Sequence, residues 1–225
     1  MYSLNKIQIK QNKKFGLASK SPRRIKLSKM LGLSFEILNS SGAEPKPVLN
    51  ESPVDYVIRA SEFKVTNNDN ILNEFVIASD TIVSLEKEIL GKPINKKIAI
   101  DMITKLNNKT HFVITAISVL NTNNKSITSL VKKSKVKFKN WNNSQIYKYI
   151  ENNDILDKAG AYAIQDNNNS PVEDYTGCKL NIVGLPVCNL IELLISNQVI
   201  EKTNLPKNNI CKLIESWQER EGSNP

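Results

Sequence analysis

Hydrophobic and polar positions change places along this chain in short blocks, and the block lengths predict strands and helices in turn. Phe15-Gly16-Leu17-Ala18-Ser19 is a brief apolar run that stops at small polar residues, as a buried strand does. Ser21-Pro22-Arg23-Arg24 comes next, with Ile25, Leu27, Met30 and Leu31 behind it. A serine cap followed by proline starts a helix, because proline's fixed φ suits the first turn and its missing N–H would be unpaired there anyway. Phe35 to Leu38 reads as a second strand, and a turn-rich stretch runs from Asn39 to Pro47. Ser52-Pro53-Val54-Asp55 opens a second helix, with Val54, Val57, Ile58 and Val65 as its predicted inner stripe. Phe75 to Ser79 predicts a strand running into Asp80-Thr81, after which Ile82 to Leu85 continues extended.

The alternation persists further on. Residues 96–107 are predicted helical, with Ile98, Met102, Ile103 and Leu106 on one face. Residues 112–120 are the longest strand candidate, and after a turn at 121–124 the chain returns through Ile127 to Phe138. In Lys135-Val136-Lys137-Phe138-Lys139, lysines alternate with apolar residues. That fits a half-exposed strand whose charges discourage edge pairing, and it also fits a strip gripping nucleic acid. A short helix is expected near 144–152, and a further one over 187–196, begun by Pro186 and turning Val187, Leu190, Ile191 and Leu194 inward. Ile210, Leu213, Ile214 and Trp217 suggest a terminal amphipathic helix. Interleaved strands and helices without a fixed repeat predict a mixed α/β class.

Composition narrows the field without choosing a function. A chain of 225 residues with 40% hydrophobic and 24% charged positions has globular proportions, which excludes a disordered chain or a fibre. The net charge of +9 favours anionic partners: nucleotides, nucleic acid or an acidic membrane face. Cys178, Cys188 and Cys211 are widely spaced and odd in number, and His111 is the single histidine, so neither a disulfide scaffold nor a Cys/His zinc site is expected. No apolar run approaches the roughly 20 residues that cross a bilayer, and the opening residues lack a signal-peptide core. A soluble protein of a reducing compartment is expected.

Several short constellations carry candidate chemistry. Ser19, Ser21, Arg23 and Arg24 surround a predicted helix N-terminus, whose unpaired N–H groups and partial positive charge attract anions. The same residues also fit ordinary capping with two surface arginines, and no Walker loop is present. Asp80 is expected where an apolar strand reaches a hydroxyl-rich end; it could bind a hard cation, take a proton from water, or simply accept loop N–H groups. Gly91-Lys92-Pro93 holds a lysine in a loop of fixed shape, suited to a phosphate or to plain exposure. In Ala159-Gly160-Ala161-Tyr162-Ala163-Ile164-Gln165 the small residues permit close approach of a ligand or tight packing, and the Gln165 amide could read a base. Gly184-Leu185-Pro186 reads as a structural turn, and His111 as satisfying another.

In this order, Leu17-Ala18-Ser19-x-Ser21-Pro22-Arg23-Arg24, Ala78-Ser79-Asp80-Thr81, Gly91-Lys92-Pro93, Leu106 through His111-x-Val113-x-Thr115-Ala116, Asp157-Lys158-Ala159-Gly160-Ala161-Tyr162-x-Ile164-Gln165 and Val183-Gly184-Leu185-Pro186 resemble the motifs of the Maf family of nucleoside-triphosphate pyrophosphatases. The resemblance covers roughly residues 15–197, leaving a loose arm at 1–14 and a C-terminal extension at 198–225. It implies an elongated α/β fold with a mixed twisted sheet and a central cleft, similar to that of inosine-triphosphate pyrophosphatases. It implies hydrolysis of dTTP or UTP to the monophosphate and diphosphate with Mg²⁺ or Mn²⁺, by a cytoplasmic enzyme that is often a homodimer. No membrane or nucleic-acid partner is expected. Alternatives are a 7-methyl-GTP or other modified-nucleotide substrate, a basic nucleic-acid binder, and a catalytically silent regulator of growth or division.

Carried over by position, Asp80 matches the proton acceptor, and Arg23, Thr81 and Gln165 match positions linked to base choice. Ser19, Arg24, Lys64 and Lys92 match phosphate-binding positions, and Glu44 with Asp80 would hold the metal. Three stretches depart from the pattern: Asp166 follows Gln165 where glycine is usual, and Gly177-Cys178-Lys179-Leu180-Asn181 and Leu106-Asn107-Asn108-Lys109 are atypical.

Overall fold

A strand buried on both faces belongs inside a sheet, and Phe15–Ala18 (β1) is buried at every residue. In the computed structural model, which describes residues 9–68, 72–166 and 169–201 together with Cys211 and Ile214, β1 pairs in parallel with Phe35–Leu38 (β2) and with Phe75–Leu85 (β3). Between them run Pro22–Met30 (α1) and Pro53–Thr66 (α2), the helical crossovers that parallel neighbours require. Glu88–Leu90 (β4) folds back on β3, and Lys96–Leu106 (α3) leads to the long hairpin of Thr110–Asn121 (β5) and Ile127–Phe138 (β6). Asn143–Asn152 (α4), Val172–Thr176 (β7), Lys179–Val183 (α5) and Val187–Ser196 (α6) follow. The seven strands form one mixed sheet in the order β2-β1-β3-β5-β6-β7, with β4 beside β3. This bears out the mixed α/β expectation.

Two apolar clusters share the side of β3 that carries Ile77 and Val83. One gathers Phe15, Leu27, Ile77, Ile117, Leu190 and Leu194, covered by α1 and α6. The other gathers Val83, Ile103, Val113, Phe138, Ile146 and Ile150, covered by α3 and α4. Along β3 the residues between them are Ser79 and Thr81, so the strand turns polar where the clusters part. The opposite face is covered by α2, which packs on β3 and β5.

Several expectations are corrected. Val54 on α2 is exposed and Ile58 only half-buried; the expected Val57 and Val65 are buried, joined by Ala60, Ser61 and Lys64 at a spacing of three and four that puts one lysine on the inner stripe. Asp80 does not end a strand but lies within β3, opposite Ala116 of β5. The lysines of β6 do not guard a sheet edge, because Lys135 and Lys137 pair with Thr176 and Asp174 of β7. β4, β7 and α5 are too short or too polar to announce themselves in the hydrophobic pattern. His111 does not satisfy a turn: it opens into β5 fully buried, with Nε2 2.8 Å from the Tyr162 hydroxyl and its ring edge-on to Phe138.

Of the N-terminal arm, the described residues run beside residues 199–201: Asn12 N–H donates to the Val199 carbonyl at 2.9 Å, and Glu201 N–H to that of Lys10 at 3.0 Å. Ile210, Leu213 and Trp217 of the expected terminal helix lie outside the described residues, whereas Ile214 is helical and buried in the larger cluster. Cys211, distant in sequence from Cys178, brings its sulfur within 3.8 Å of that thiol.

Candidate active site

The site begins as a gap in strand pairing. On one edge of β3, β1 pairs only as far as Ile77 and β4 begins only at Val83. Between these points that edge has no neighbouring strand among the described residues, while on the other edge β5 pairs without a break. A cleft of about 450 Å³ opens at the gap. Arg23 and Asp80 both line it, as do Ser19, Arg24, Glu44, Lys64, Thr81, Lys92 and Gln165, so every residue expected at the site meets in one place.

The α2 stripe delivers the first charged group. Lys64 reaches from α2 to β3, its Nζ 2.5 Å from Asp80 Oδ1 and 3.1 Å from Glu44 Oε1. The Lys64 and Asp80 side chains are only 8% and 12% exposed, so the low-dielectric surroundings strengthen their attraction, whereas Glu44 at 56% reaches water. Partial burial pushes the Glu44 carboxyl up, but Lys64 beside it, with Lys92 and Arg24 further off, outweighs this and holds it below the usual range.

The α1 unit supplies the opposing charge. Ser21 caps the helix with its backbone alone, without a side-chain bond into the first turn, and the buried Ser19 Oγ accepts the Ser21 N–H at 3.2 Å. Arg24 commits donors to the protein itself. Nε donates to the Gly184 carbonyl at 2.9 Å, one terminal nitrogen to the Ser79 carbonyl at 2.7 Å, and the other to Thr81 Oγ1 at 2.9 Å. It thereby satisfies a carbonyl that the missing strand leaves unpaired. Burial lowers the Arg24 pKa, with nearby Asp80 opposing the shift. Thr81 is drawn inward by the same brace and by Thr115 Oγ1 at 3.0 Å.

The residues alone assign no role to Asp157, Lys158 or Tyr162 and only a turn to Gly184, yet each lines the cleft. Asp157 accepts from Arg23 and from Lys158, both at 3.1 Å, and so fixes Arg23 across the opening. Burial raises the Asp157 carboxyl, but Lys158 and Arg23 outweigh it and the net shift is downward. Gly160 N–H donates to the Gly91 carbonyl at 3.0 Å, fastening the loop that carries Lys92. Gly160 has φ +69°, and a Cβ there would lie 2.7 Å from Val83, so only glycine permits this approach. Gly184 has φ +114° at the end of α5, which aims its carbonyl at Arg24. The Asp-Lys-Ala-Gly-Ala-Tyr run and the Gly-Leu-Pro turn were the available signals.

The donor set fits a hard divalent cation. Asp80 and Glu44 converge on one ammonium group, which shows that the spot favours positive charge. Mg²⁺ characteristically takes one or two carboxylates and completes its shell with water and substrate phosphates.

The family model described as Maf-like protein matches residues 14–197. Among curated proteins, the dTTP/UTP pyrophosphatase of Dehalococcoides mccartyi (strain BAV1) is 37% identical over 179 residues, covering 79% of this chain and 80% of that protein. That of Dictyoglomus thermophilum is 37% identical over 179 residues, 79% and 93%. That of Clostridium tetani is 38% identical over 183 residues, 80% and 95%. Among solved structures, the Staphylococcus aureus Ham1 protein overlaps 56% of this chain and 72% of that one, at 16% identity and a TM-score of 0.40, too low to carry weight.

Proposed function

This chain belongs to the Maf-like family, and on that premise we propose that it is a nucleoside-triphosphate pyrophosphatase, hydrolysing dTTP and UTP to the monophosphate and diphosphate. One observation carries the reading: the Asp80–Lys64–Glu44 cluster and the arginines of α1 line the same cleft. A triphosphate repels an incoming water, so its hydrolysis requires charge neutralisation and a positioned base.

In this reading the N-terminus of α1, with Ser19 and the charge of Arg24 behind it, holds the phosphate chain. Lys64 and Lys92 stabilise negative charge on the departing diphosphate. Asp80 accepts the proton of the attacking water, and Lys64 holds its carboxylate in place. Arg23, fixed by Asp157, meets the nucleotide together with Gln165, whose amide offers both a donor and an acceptor to the base. Thr81, which lines the same cleft, contributes to base choice. Asp80 and Glu44 would hold Mg²⁺ or Mn²⁺, which when bound supplies further neutralisation of phosphate charge.

The setting proposed is cytoplasmic, with a homodimer as the assembly; among the described residues no helix is long and apolar enough to cross a membrane. The deciding experiment is a panel of canonical and modified nucleoside triphosphates, 7-methyl-GTP included, assayed with Mg²⁺ or Mn²⁺ for diphosphate against orthophosphate. Diphosphate release fastest on dTTP and UTP supports the reading. Release of orthophosphate, or no turnover with salt-sensitive binding to nucleic acid, overturns it.

A further inference from the structure

Gln165 is followed by a residue whose side chain leaves the cleft. Asp166 turns toward α4, where its carboxylate accepts the hydroxyl proton of Tyr149. The hydroxyl oxygen of Tyr149 in turn accepts the Ala163 N–H at 3.1 Å. One phenol therefore ties both ends of the segment that carries Ile164 and Gln165. Tyr149 is itself immobilised: it is 3% exposed, it lies in the apolar cluster with Ile146 and Ile150, and its ring sits 5.5 Å from that of Trp141. The far side of the segment is held as well, since Ser170 Oγ donates to the Ala163 carbonyl at 2.9 Å and Asn169 N–H to that of Asp166 at 3.1 Å. Burial, and then the Asp166 carboxylate, push the Tyr149 hydroxyl above the usual phenol range, so it stays a donor.

We propose that Asp166, acting through the Tyr149 hydroxyl, is a positioning residue that sets where Gln165 meets the base of the nucleotide. It touches neither the phosphates nor Asp80, so it should act on base discrimination and not on the hydrolytic step. The inference rests on the proposed reading of Gln165. A glycine at this position would have no side chain to reach α4, and the amide of Gln165 would then be placed by the backbone turn alone.

The test compares wild-type protein with Asp166→Gly, Asp166→Asn, Tyr149→Phe, the Asp166→Gly/Tyr149→Phe double variant and Gln165→Ala, by steady-state diphosphate release from dTTP, UTP, ATP and GTP. Asp166→Gly and Tyr149→Phe are each expected to raise KM for dTTP about tenfold, the scale of a lost charge-assisted hydrogen bond, with kcat within about twofold. The preference for pyrimidine over purine triphosphates should narrow in step. Asp166→Asn, whose amide oxygen still accepts from the phenol, should recover most of the loss, and the double variant should be no worse than Tyr149→Phe alone, which already removes both of the hydroxyl's bonds. If Gln165→Ala leaves the base ratio unchanged, the reading of Gln165 fails. If Gln165→Ala shifts the ratio and both Asp166→Gly and Tyr149→Phe leave it alone, the positioning role alone fails. An equal fall in kcat on all four nucleotides with a lowered melting temperature would mean a purely structural link and would also overturn it. Tyr149→Phe keeps the ring in the core, so it reads the link even if Asp166→Gly does not fold.

Discussion

Replacing Asp80 by asparagine separates its chemistry from its place in the fold. Asparagine keeps the shape and an acceptor oxygen but cannot take a proton. If Asp80 is the general base, diphosphate release should fall roughly 100- to 10,000-fold. The fold should feel much less. Lys64 keeps Glu44 at 3.1 Å and a neutral acceptor where it had a carboxylate. Exchanging a charge-assisted hydrogen bond for a neutral one costs about 1–2 kcal/mol. In a chain of this size each kcal/mol moves the melting temperature by about 2–4 °C, so a drop of about 2–8 °C is expected. Lys64→Met strikes the other partner. Asp80 has no other side-chain partner among the described residues and is 12% exposed, so its carboxylate would be stranded. Breaking a buried pair that way costs about 3–5 kcal/mol, or a drop of roughly 6–20 °C. Two measurements suffice: diphosphate release under saturating dTTP, and calorimetric melting. Turnover above a tenth of wild type in Asp80→Asn would remove Asp80 as the base. A Lys64→Met protein no less stable than Asp80→Asn would refute the stranding of the Asp80 carboxylate.

Further outcomes follow from other parts of the molecule. His111 is fully buried and its pKa is lowered by burial to about 4, against about 6.5 in the unfolded chain; the unfolded state therefore binds the proton more readily, and stability holds above about pH 6.5 and declines as pH falls toward 4. The decline amounts to about 3 kcal/mol, and equilibrium unfolding of His111→Phe between pH 7 and 4 should lack it. Gly184→Ala forces a side chain into the left-handed region beside Thr81 and Arg24, which should cost about 1–2 kcal/mol and lower dTTP turnover by disturbing the Arg24 brace; unchanged melting would show the turn relaxes freely. Chelation should abolish diphosphate release and added Mg²⁺ or Mn²⁺ restore it, and Glu44→Gln should raise the half-saturating metal concentration roughly tenfold or more, measured by metal titration of activity; full turnover in chelator would refute the metal requirement.

Much of the secondary structure was legible because short-range physics decides it. Serine before proline opened both α1 and α2, and the apolar run from Val187 to Ser196 gave α6 its inward face. The failures have a common cause. The inner stripe of α2 holds the expected Val57 and Val65 but departs at two places: Val54 is apolar and faces solvent, while Lys64 is charged and faces in. A lysine is buried there only because Asp80 meets it, and Asp80 belongs to another element. β7, with Glu173 and Asp174 exposed, has no hydrophobic signature and exists because β6 offers it an edge.

The amino-acid order alone determined the longer elements, the mixed α/β class and the ordered motifs that point to a nucleotide-handling family, because caps, periodicity and motif spacing act over a few neighbouring residues. Tertiary structure decided that β1 and β4 leave one edge of β3 uncovered, that Arg24 braces the gap from within, and that Asp157, Tyr162 and Gly184 complete the cleft. These depend on how far strands extend beside one another and on partners more than a hundred residues apart along the chain, as Arg23 is from Asp157. No local pattern encodes such a meeting; it arises only when burial of the two apolar clusters brings the distant segments together.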